Sequence, residues 1–210
     1  DNFTLRQSSG GLVSALTSYF EKERTEAKKF KEHIWVGSVD FSPQIWKKVR
    51  DKNIKSSNFR VEPIHIEPDI YDSYYNGFSN STLWPLFHYF PFLAQYDKEY
   101  FEAYIQVNFL FADKILSFAK KDDVIWIHDY QLMLLPQILR KKRADLTIGF
   151  FLHIPFPSYE IFRLLPTKWN TTVLQGMLGA DLIGFHTHDY VQHFIQSAKV
   201  ILRVESQFNT

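Results

Sequence analysis

Three short apolar runs in the second half of the chain each end in a histidine. The runs cover residues 124–127, 148–152 and 181–185, and they lead into His128, His153 and His186. Each run has the length of a strand and lacks polar alternation, which is typical of parallel strands covered on both faces. The carboxyl ends of parallel strands meet at one edge of a sheet, where ligands bind, so we expect the histidines to share a site. Asp129 directly follows His128 and adds a carboxylate there.

This set of residues fits few of the common catalytic chemistries. The chain has no cysteine, which excludes cysteine-ligated zinc and a thiol nucleophile. The patterns G-x-S-x-G, G-x-G-x-x-G and G-x-x-x-x-G-K-[ST] are missing, which disfavours a serine hydrolase, a dinucleotide enzyme and a P-loop enzyme. His186 and His188 would share a face only in an extended segment, and no carboxylate shows a recognised ligand spacing, so no metal is expected.

A glycine pair near the start of the chain has the character of a phosphate-binding turn. Ser8, Ser9, Gly10 and Gly11 stand immediately before an amphipathic stretch that predicts a helix over residues 12–30. Glycines let a ligand approach backbone N–H groups, and the start of a helix favours anions. An ordinary serine cap on a tight turn explains the same residues equally well, and both interpretations stay open.

The segment 74–89 is rich in aromatic rings that carry polar groups, among them Tyr75 and Trp84. Sugar faces stack on such rings while sugar hydroxyls bond to their polar tips. We therefore predict a sugar-binding loop between helices here, with filling of the core as the alternative.

The composition is that of a globular protein with a large core. Of the 210 residues, 45% are hydrophobic and 17% aromatic, and the net charge is only +1. So small a charge gives no bulk attraction for nucleic acid or an anionic membrane. No apolar run approaches the length of a membrane span and no targeting segment is recognised, so a cytoplasmic location is expected.

The apolar runs alternate with helical stretches along the chain. Further strands are predicted at residues 34–37 and 60–66. Helices are predicted at residues 97–120, 131–143 and 187–200, with one or two more within residues 158–178. Strand and helix in alternation indicate an α/β fold with a doubly wound, mostly parallel sheet. Basic runs such as residues 140–143 fall at predicted helix ends, where solvated positive charge is favourable.

Five longer stretches resemble the trehalose-6-phosphate synthase family. They lie, in the order of that family, at residues 8–12, 74–89, 125–136, 149–166 and 179–187. The resemblance implies that residues 1–210 are the N-terminal, acceptor-binding, Rossmann-like half of a two-domain GT-B glycosyltransferase. It also implies that a first strand and a C-terminal nucleotide-sugar domain are not part of this sequence.

The activity implied by this resemblance is transfer of glucose from UDP-glucose to glucose 6-phosphate, with retention and without a protein nucleophile or cofactor. By position, Asp129 and His153 match catalytic residues. Tyr75, Trp84, Asp129 and Tyr130 match acceptor-binding residues, whereas Gly10, Gly11 and His153 match donor-binding residues. Gly11 is expected to face Asp129 and His153 across a shared hollow.

Three departures from the family pattern leave alternatives open. An S-N-R segment does not precede Asp1, Ser38 stands where the family has a second Trp, and the chain ends at Thr210. The chain alone is therefore expected not to turn over. The alternatives are a non-catalytic regulatory or assembly domain of a synthase/phosphatase fusion and a pseudo-glycosyltransferase that couples cyclitols. Expected partners are the two substrates, the C-terminal domain, a fused phosphatase domain and a further copy of the protein.

Overall fold

The computed structural model describes residue 16, residues 18–20, residue 22, residues 30–53 and residues 59–207. The chain divides into two compact units, Asp1–Ile66 and Glu67–Thr210, which are described separately. Single-domain organisation over residues 1–210 stays a prediction. The glycine turn with Gly10 and Gly11, and most of the helix predicted over residues 12–30, lie outside the described residues.

The first unit contains two parallel strands joined through a helix. Strand β1 spans Ile34–Val39, helix α1 spans Pro43–Asn53 and strand β2 spans Arg60–His65. Gly37 pairs with Pro63 in the middle of this ladder. Proline has no N–H to donate, but a two-stranded ladder leaves one side of each strand unpaired, so Pro63 is tolerated. Both strands are therefore confirmed.

The second unit is built on three parallel strands in the order β3-β4-β5. They are β3 (Val124–His128), β4 (Thr147–Phe151) and β5 (Leu182–Gly184). Its α-helices are α2 (Pro68–Tyr71), α3 (Trp84–Phe87), α4 (Lys98–Leu116), α5 (Leu135–Lys142), α6 (Tyr159–Phe162), α7 (Thr167–Met177) and α8 (His188–Leu202). The predicted α/β class with parallel strands is confirmed, with the strands in two sheets. Of the described residues, no helix is both long and apolar enough for a membrane span.

Helix α4 is the central helix of this unit. Asp97 caps its start, since its Oδ1 accepts a hydrogen bond of 2.8 Å from the backbone N–H of Glu99. Tyr104, Val107 and Phe111 lie on its buried face at the spacing of an amphipathic helix. The prediction of a helix over residues 97–120 is thus confirmed, with an earlier end.

The segment predicted as a loop at residues 74–89 is helical, so that prediction is wrong. Residues Asp72–Leu83 form a π-helix between α2 and α3. The hydroxyls of Ser79 and Ser81 donate to the carbonyls of Tyr74 and Asn76, five residues earlier, at 2.9 and 2.7 Å. Serine side chains therefore satisfy carbonyls in a wide helical turn, a form that is rare and frequent at functional sites.

Among the described residues the two faces of the three-stranded sheet are covered unequally, and cover on both faces stays a prediction. Ile148 and Phe150 are buried, whereas Val124 is 50% exposed, Trp126 46% and Leu182 72%. Alternation along β3 puts Val124 and Trp126 on the same face as His128. An unbroken apolar run does not distinguish a strand covered on both faces from one whose outer face carries partly exposed apolar side chains.

Arg140, in the last turn of α5, fixes the beginnings of β4 and β5. Its guanidinium donates to the carbonyls of Ala144 and Leu146 at 2.7 and 2.9 Å. It also pairs with Asp181 at 2.6 Å, and the same carboxylate oxygen accepts the backbone N–H of Ile148 at 2.7 Å. The basic run at this helix end, predicted to be solvated charge, also organises the strands.

Gly176 permits close packing of α7 against the segment that leads into α5. A Cβ added there would lie 2.7 Å from the Cα of Leu134, whereas one added at Gly149 would lie 3.7 Å from Trp126 Cδ1. We expect Gly176→Ala to lower the free energy of unfolding by about 1–3 kcal/mol, although alanine is the better helix former. Urea unfolding measures this. Gly149→Ala is the matched control and should change stability by less than about 0.5 kcal/mol; equal stability of both variants would contradict the packing.

Candidate functional site

The ends of β3 and β4 are joined by one carboxylate. Asp129 follows β3, and its backbone N–H donates to the carbonyl of Phe151 at 2.8 Å. Its Oδ1 then accepts backbone N–H bonds from Tyr130 at 3.0 Å and from His153 at 3.2 Å. Asp129 and His153 are thus brought side by side at the carboxyl edge of the sheet, as expected from the order of strands.

The backbone of Asp129 is strained. Its φ is 72° and its ψ is 172°, a region that is populated essentially by glycine. Aspartate holds this conformation because its own carboxylate accepts hydrogen bonds from the backbone N–H groups of Tyr130 and His153. Such strain costs on the order of 1–3 kcal/mol and is characteristic of functional sites.

The three histidines that follow the strands do lie together. The ring centroid of His153 is 5.3 Å from that of His128 and 5.7 Å from that of His186. His128 Nδ1 and His153 Nε2 are 3.0 Å apart, which is a hydrogen bond between the two rings. Trp126 and Phe151 pack against His128 and His153, with centroids at 4.6 and 4.7 Å.

Burial makes both bonded histidines resist protonation. Desolvation, followed by the charge that His153 would carry, lowers the pKa of His128 to about 4. The pKa of His153 is lowered as well, by desolvation and then by His186, against the opposing effect of Asp129. Both imidazoles are therefore neutral at pH 7.

Asp129 is held between opposing effects. Desolvation raises the pKa of its carboxyl, while the N–H bonds from Tyr130 and His153 lower it, and burial prevails. Both of those bonds are to Oδ1, so among the described residues Oδ2 is the oxygen open to a ligand. A carboxylate oxygen in this setting accepts hydrogen bonds from sugar hydroxyls.

Tyr130 is buried and links the strand end to the π-helix. It is 7% exposed, and its hydroxyl donates to Asn80 Oδ1 at 2.8 Å. Its carbonyl accepts a 2.6 Å bond from the hydroxyl of Tyr104, which in turn accepts the N–H of Met133 at 3.0 Å. These contacts position the turn after Asp129, and an acceptor-binding role of Tyr130 stays a prediction.

Tyr75 and Trp84 lie on the helical segment, and neighbouring rings hold their side chains in place. Tyr75 is half-buried on the π-helix and stacks on Tyr71 at 5.3 Å with planes 13° apart. Trp84 is 41% exposed and stacks on His88 at 4.0 Å, and the Nδ1–H of His88 donates to the Trp84 carbonyl at 2.7 Å. Both side chains are thus preoriented and accessible.

The predicted site residues are partly assembled within the second unit. Asp129, Tyr130 and His153 adjoin, and Asn80 ties the π-helix that carries Tyr75 to them. Within the described part of the chain, Trp84 makes no hydrogen bond or ring contact with Asp129 or His153. Ser38 is exposed on β1 in the other unit. The described residues contain no group of three or more histidine, aspartate or glutamate side chains with the geometry of a metal site.

Pattern reasoning missed two residues that support this site. Tyr104 is fully buried, and Asn108 donates to the carbonyls of Tyr104 and Gln131 at 2.9 and 3.1 Å. One signal was available, because Asn108 is a polar residue on the apolar face of a strongly patterned helix. A buried amide needs partners, and the Nδ2 of Asn108 finds one of its two in the turn after Asp129.

Comparison with known proteins decides the family. The profile of glycosyltransferase family 20 matches residues 1–210. The chain belongs to this family. It is 45% identical over 208 residues to the alpha,alpha-trehalose-phosphate synthase [UDP-forming] of Yarrowia lipolytica, covering 96% of this chain and 42% of that protein.

Solved structures agree with the family 20 assignment. A structure of trehalose-6-phosphate from E. coli bound with UDP-2-fluoro glucose gives a TM-score of 0.79 at 33% identity, covering 99% of this chain and 43% of that one. An alpha,alpha-trehalose-phosphate synthase (UDP-forming) from Burkholderia xenovorans in complex with glucose-6-phosphate gives a TM-score of 0.71 at 32% identity, covering 92% and 40%. The chain spans about 40% of the length of these three relatives.

The backbone strain at Asp129 can be measured by comparing two substitutions at this position. Asp129→Gly and Asp129→Ala both remove the carboxylate, but only glycine tolerates the backbone, so the glycine variant should be more stable by about 1 kcal/mol or more. Urea unfolding of both variants gives the difference. At Asp113, in the helical backbone of α4, the same pair should show the reverse order by about 1 kcal/mol. Alanine equal to or better than glycine at position 129 would show that no strain is stored there.

Proposed function

We propose that the full-length protein transfers glucose from UDP-glucose to glucose 6-phosphate, forming trehalose 6-phosphate and UDP with retention at the donor carbon. Residues 1–210 would be its N-terminal, acceptor-binding, GT-B half. The support is the family match over residues 1–210 together with the trehalose-phosphate synthases among its relatives. The geometric observation that carries the proposal is the backbone bond from His153 to Asp129, which fixes both groups at one edge of the sheet.

The charges at this edge suit a glycosyl transition state. Positive charge develops at the donor carbon as the bond to the leaving group breaks. The carboxylate of Asp129 favours that charge, whereas a protonated His153 would oppose it. Because burial lowers the pKa of His153, its imidazole can bond the donor sugar without adding a repelling charge.

The acceptor would be held by a carboxylate and two oriented aromatic residues. Asp129 Oδ2 would accept sugar hydroxyls, the Tyr75 hydroxyl would bond the acceptor, and the exposed Trp84 ring would contact it. Tyr130 would contribute mainly by holding this arrangement. Donor contacts at Gly10 and Gly11 rest on the family resemblance alone.

The proposed step balances without a protein nucleophile. The C1–O bond of UDP-glucose breaks, and UDP leaves with the electron pair. The anomeric hydroxyl of glucose 6-phosphate attacks the same face, and its proton passes to the leaving phosphate. Cations for that phosphate are proposed to come from a C-terminal domain, and no cofactor is proposed. A fused phosphatase domain, self-association and a cytoplasmic location stay predictions.

The full-length protein incubated with UDP-glucose and glucose 6-phosphate should release UDP and trehalose 6-phosphate in equal amounts, and residues 1–210 alone should release neither. Asp129→Ala should lower the rate on the order of 100-fold or more, because it removes a charge-stabilising group. Asp113→Asn, a surface aspartate paired with Lys142, is the control and should keep the rate. Absence of product from the full-length protein would refute the proposed activity.

Binding of the acceptor tests the aromatic residues separately from turnover. Residues 1–210 should bind glucose 6-phosphate weakly in isothermal titration, and Tyr75→Phe or Trp84→Ala should weaken it further, by about 1 kcal/mol for a lost hydrogen bond or stacking contact. Phe92→Ala, at a ring that is 80% exposed, is the aromatic control. If Tyr75→Phe and Trp84→Ala bind like the Phe92 variant, these two residues do not form the acceptor site.

A further inference from the structure

We propose that His128 is a positioning residue for the transfer reaction and fixes the tautomer and ring plane of His153. The inference rests on the proposed function, because it concerns the histidine expected to meet the donor sugar. The observation behind it is the 3.0 Å hydrogen bond between His128 Nδ1 and His153 Nε2.

The bond ties together two rings that are each already constrained. His128 is the last residue of β3, and Trp126 packs on it with ring centroids 4.6 Å apart. His153 is held at its backbone by Asp129 and at its ring by Phe151. With both backbones fixed, the hydrogen bond between the rings restricts the rotation of the His153 ring.

A hydrogen bond between two imidazoles holds one proton. Either His128 Nδ1–H donates to an unprotonated His153 Nε2, or His153 Nε2–H donates to an unprotonated His128 Nδ1. In each arrangement the tautomer of His128 dictates that of His153. Among the described residues no hydrogen bond occupies Nδ1 of His153, so this atom is a donor in the first arrangement and an acceptor in the second, and the tautomer of His128 sets what the sugar would meet.

The same geometry accounts for the resistance of His128 to protonation. A first added proton can reside on His153, whose Nε2–H then donates to His128. A second would put N–H groups on both bonded atoms and abolish the hydrogen bond. This agrees with the lowered pKa of both rings, in surroundings whose other ionisable groups are Asp129 and His186.

His186 does not serve the same purpose. It is exposed and meets His153 edge-on, with centroids 5.7 Å apart and planes at 63°. Within the described residues no hydrogen bond joins the two rings, so His186 affects His153 through its charge and the edge-on ring contact. His128 is therefore the ring that can set the proton position on His153.

Two substitutions separate hydrogen bonding from packing. His128→Leu removes the bonding group, whereas His128→Asn keeps an amide near the position of Nδ1 that can donate or accept. His193→Asn is the matched control, because His193 is a half-buried histidine on α8 whose Nδ1 bonds the Phe156 carbonyl at 3.0 Å. All are made in the full-length protein.

The readouts are ring ¹⁵N shifts of labelled histidines and steady-state kinetics. In the unsubstituted protein His153 should show one tautomer. His128→Leu should give mixed tautomers and lower kcat on the order of 10- to 100-fold with little change in KM for glucose 6-phosphate, as expected for a misplaced group. His128→Asn should recover most of kcat, and His193→Asn should match the unsubstituted protein.

Several results would overturn the inference. Mixed tautomers of His153 in the unsubstituted protein would do so even if no variant folds. An unchanged kcat in His128→Leu would also do so, as would an equal loss in His128→Asn, which would assign the effect to packing. An inactive unsubstituted protein with a single His153 tautomer would instead refute the proposed function and leave the histidine pairing standing.

Discussion

The carboxylate of Asp129 is the constraint on which the candidate site depends. One of its oxygens accepts backbone N–H bonds from the residue after it and from His153 on the next strand. This cross-link holds the ends of β3 and β4 together and turns the chain out of the sheet through a backbone conformation that aspartate otherwise avoids. Among the described residues one carboxylate oxygen of Asp129 is thus used by the backbone, and the other is the atom to which the proposed function assigns a sugar hydroxyl.

A buried polar network supports this cross-link from beneath. The hydroxyl of Tyr104 bonds the carbonyl of Tyr130 and the N–H of Met133, and Asn108 bonds the carbonyl of Gln131. These backbone groups belong to the turn that follows Asp129, where their partners are side chains of α4 and not the backbone of a sheet or a long helix. Because unpaired buried polar groups are costly, the turn is confined to the geometry that α4 can satisfy. The strained turn at Asp129 is thus supported by hydrogen bonds from two buried side chains of α4, Tyr104 and Asn108.

Much of this arrangement was predictable from the sequence, and the failures have identifiable causes. The parallel strands, helix α4 and the convergence of His128, His153 and His186 follow from periodicity and from the topology of parallel sheets. The π-helix at Asp72–Leu83 did not, because no apolar period distinguishes its wide turn, and the hydroxyls of Ser79 and Ser81 that bond carbonyls five residues earlier give no pattern in the sequence. The partial exposure of Trp126 among the described residues did not follow either, because an apolar side chain looks the same in sequence whether it is covered or exposed. The hydrogen bond between His128 and His153 depends on the register of β3 against β4, which is seen only once the two strands are paired in the structure.

The electrostatics of this edge bear on which part of the proposed glycosyl transfer it would serve. A carboxylate beside a pair of neutral imidazoles attracts positive charge at a sugar carbon and orders hydroxyl groups. The same combination repels a pyrophosphate, which needs cations or backbone N–H groups aimed at it. Protonating the histidines would make the edge attractive to phosphate, but burial and their mutual hydrogen bond oppose that change. The lowered pKa of both histidines therefore favours, under the proposed function, a division of tasks in which this edge would position sugars and cations elsewhere in the full-length protein would stabilise the leaving group.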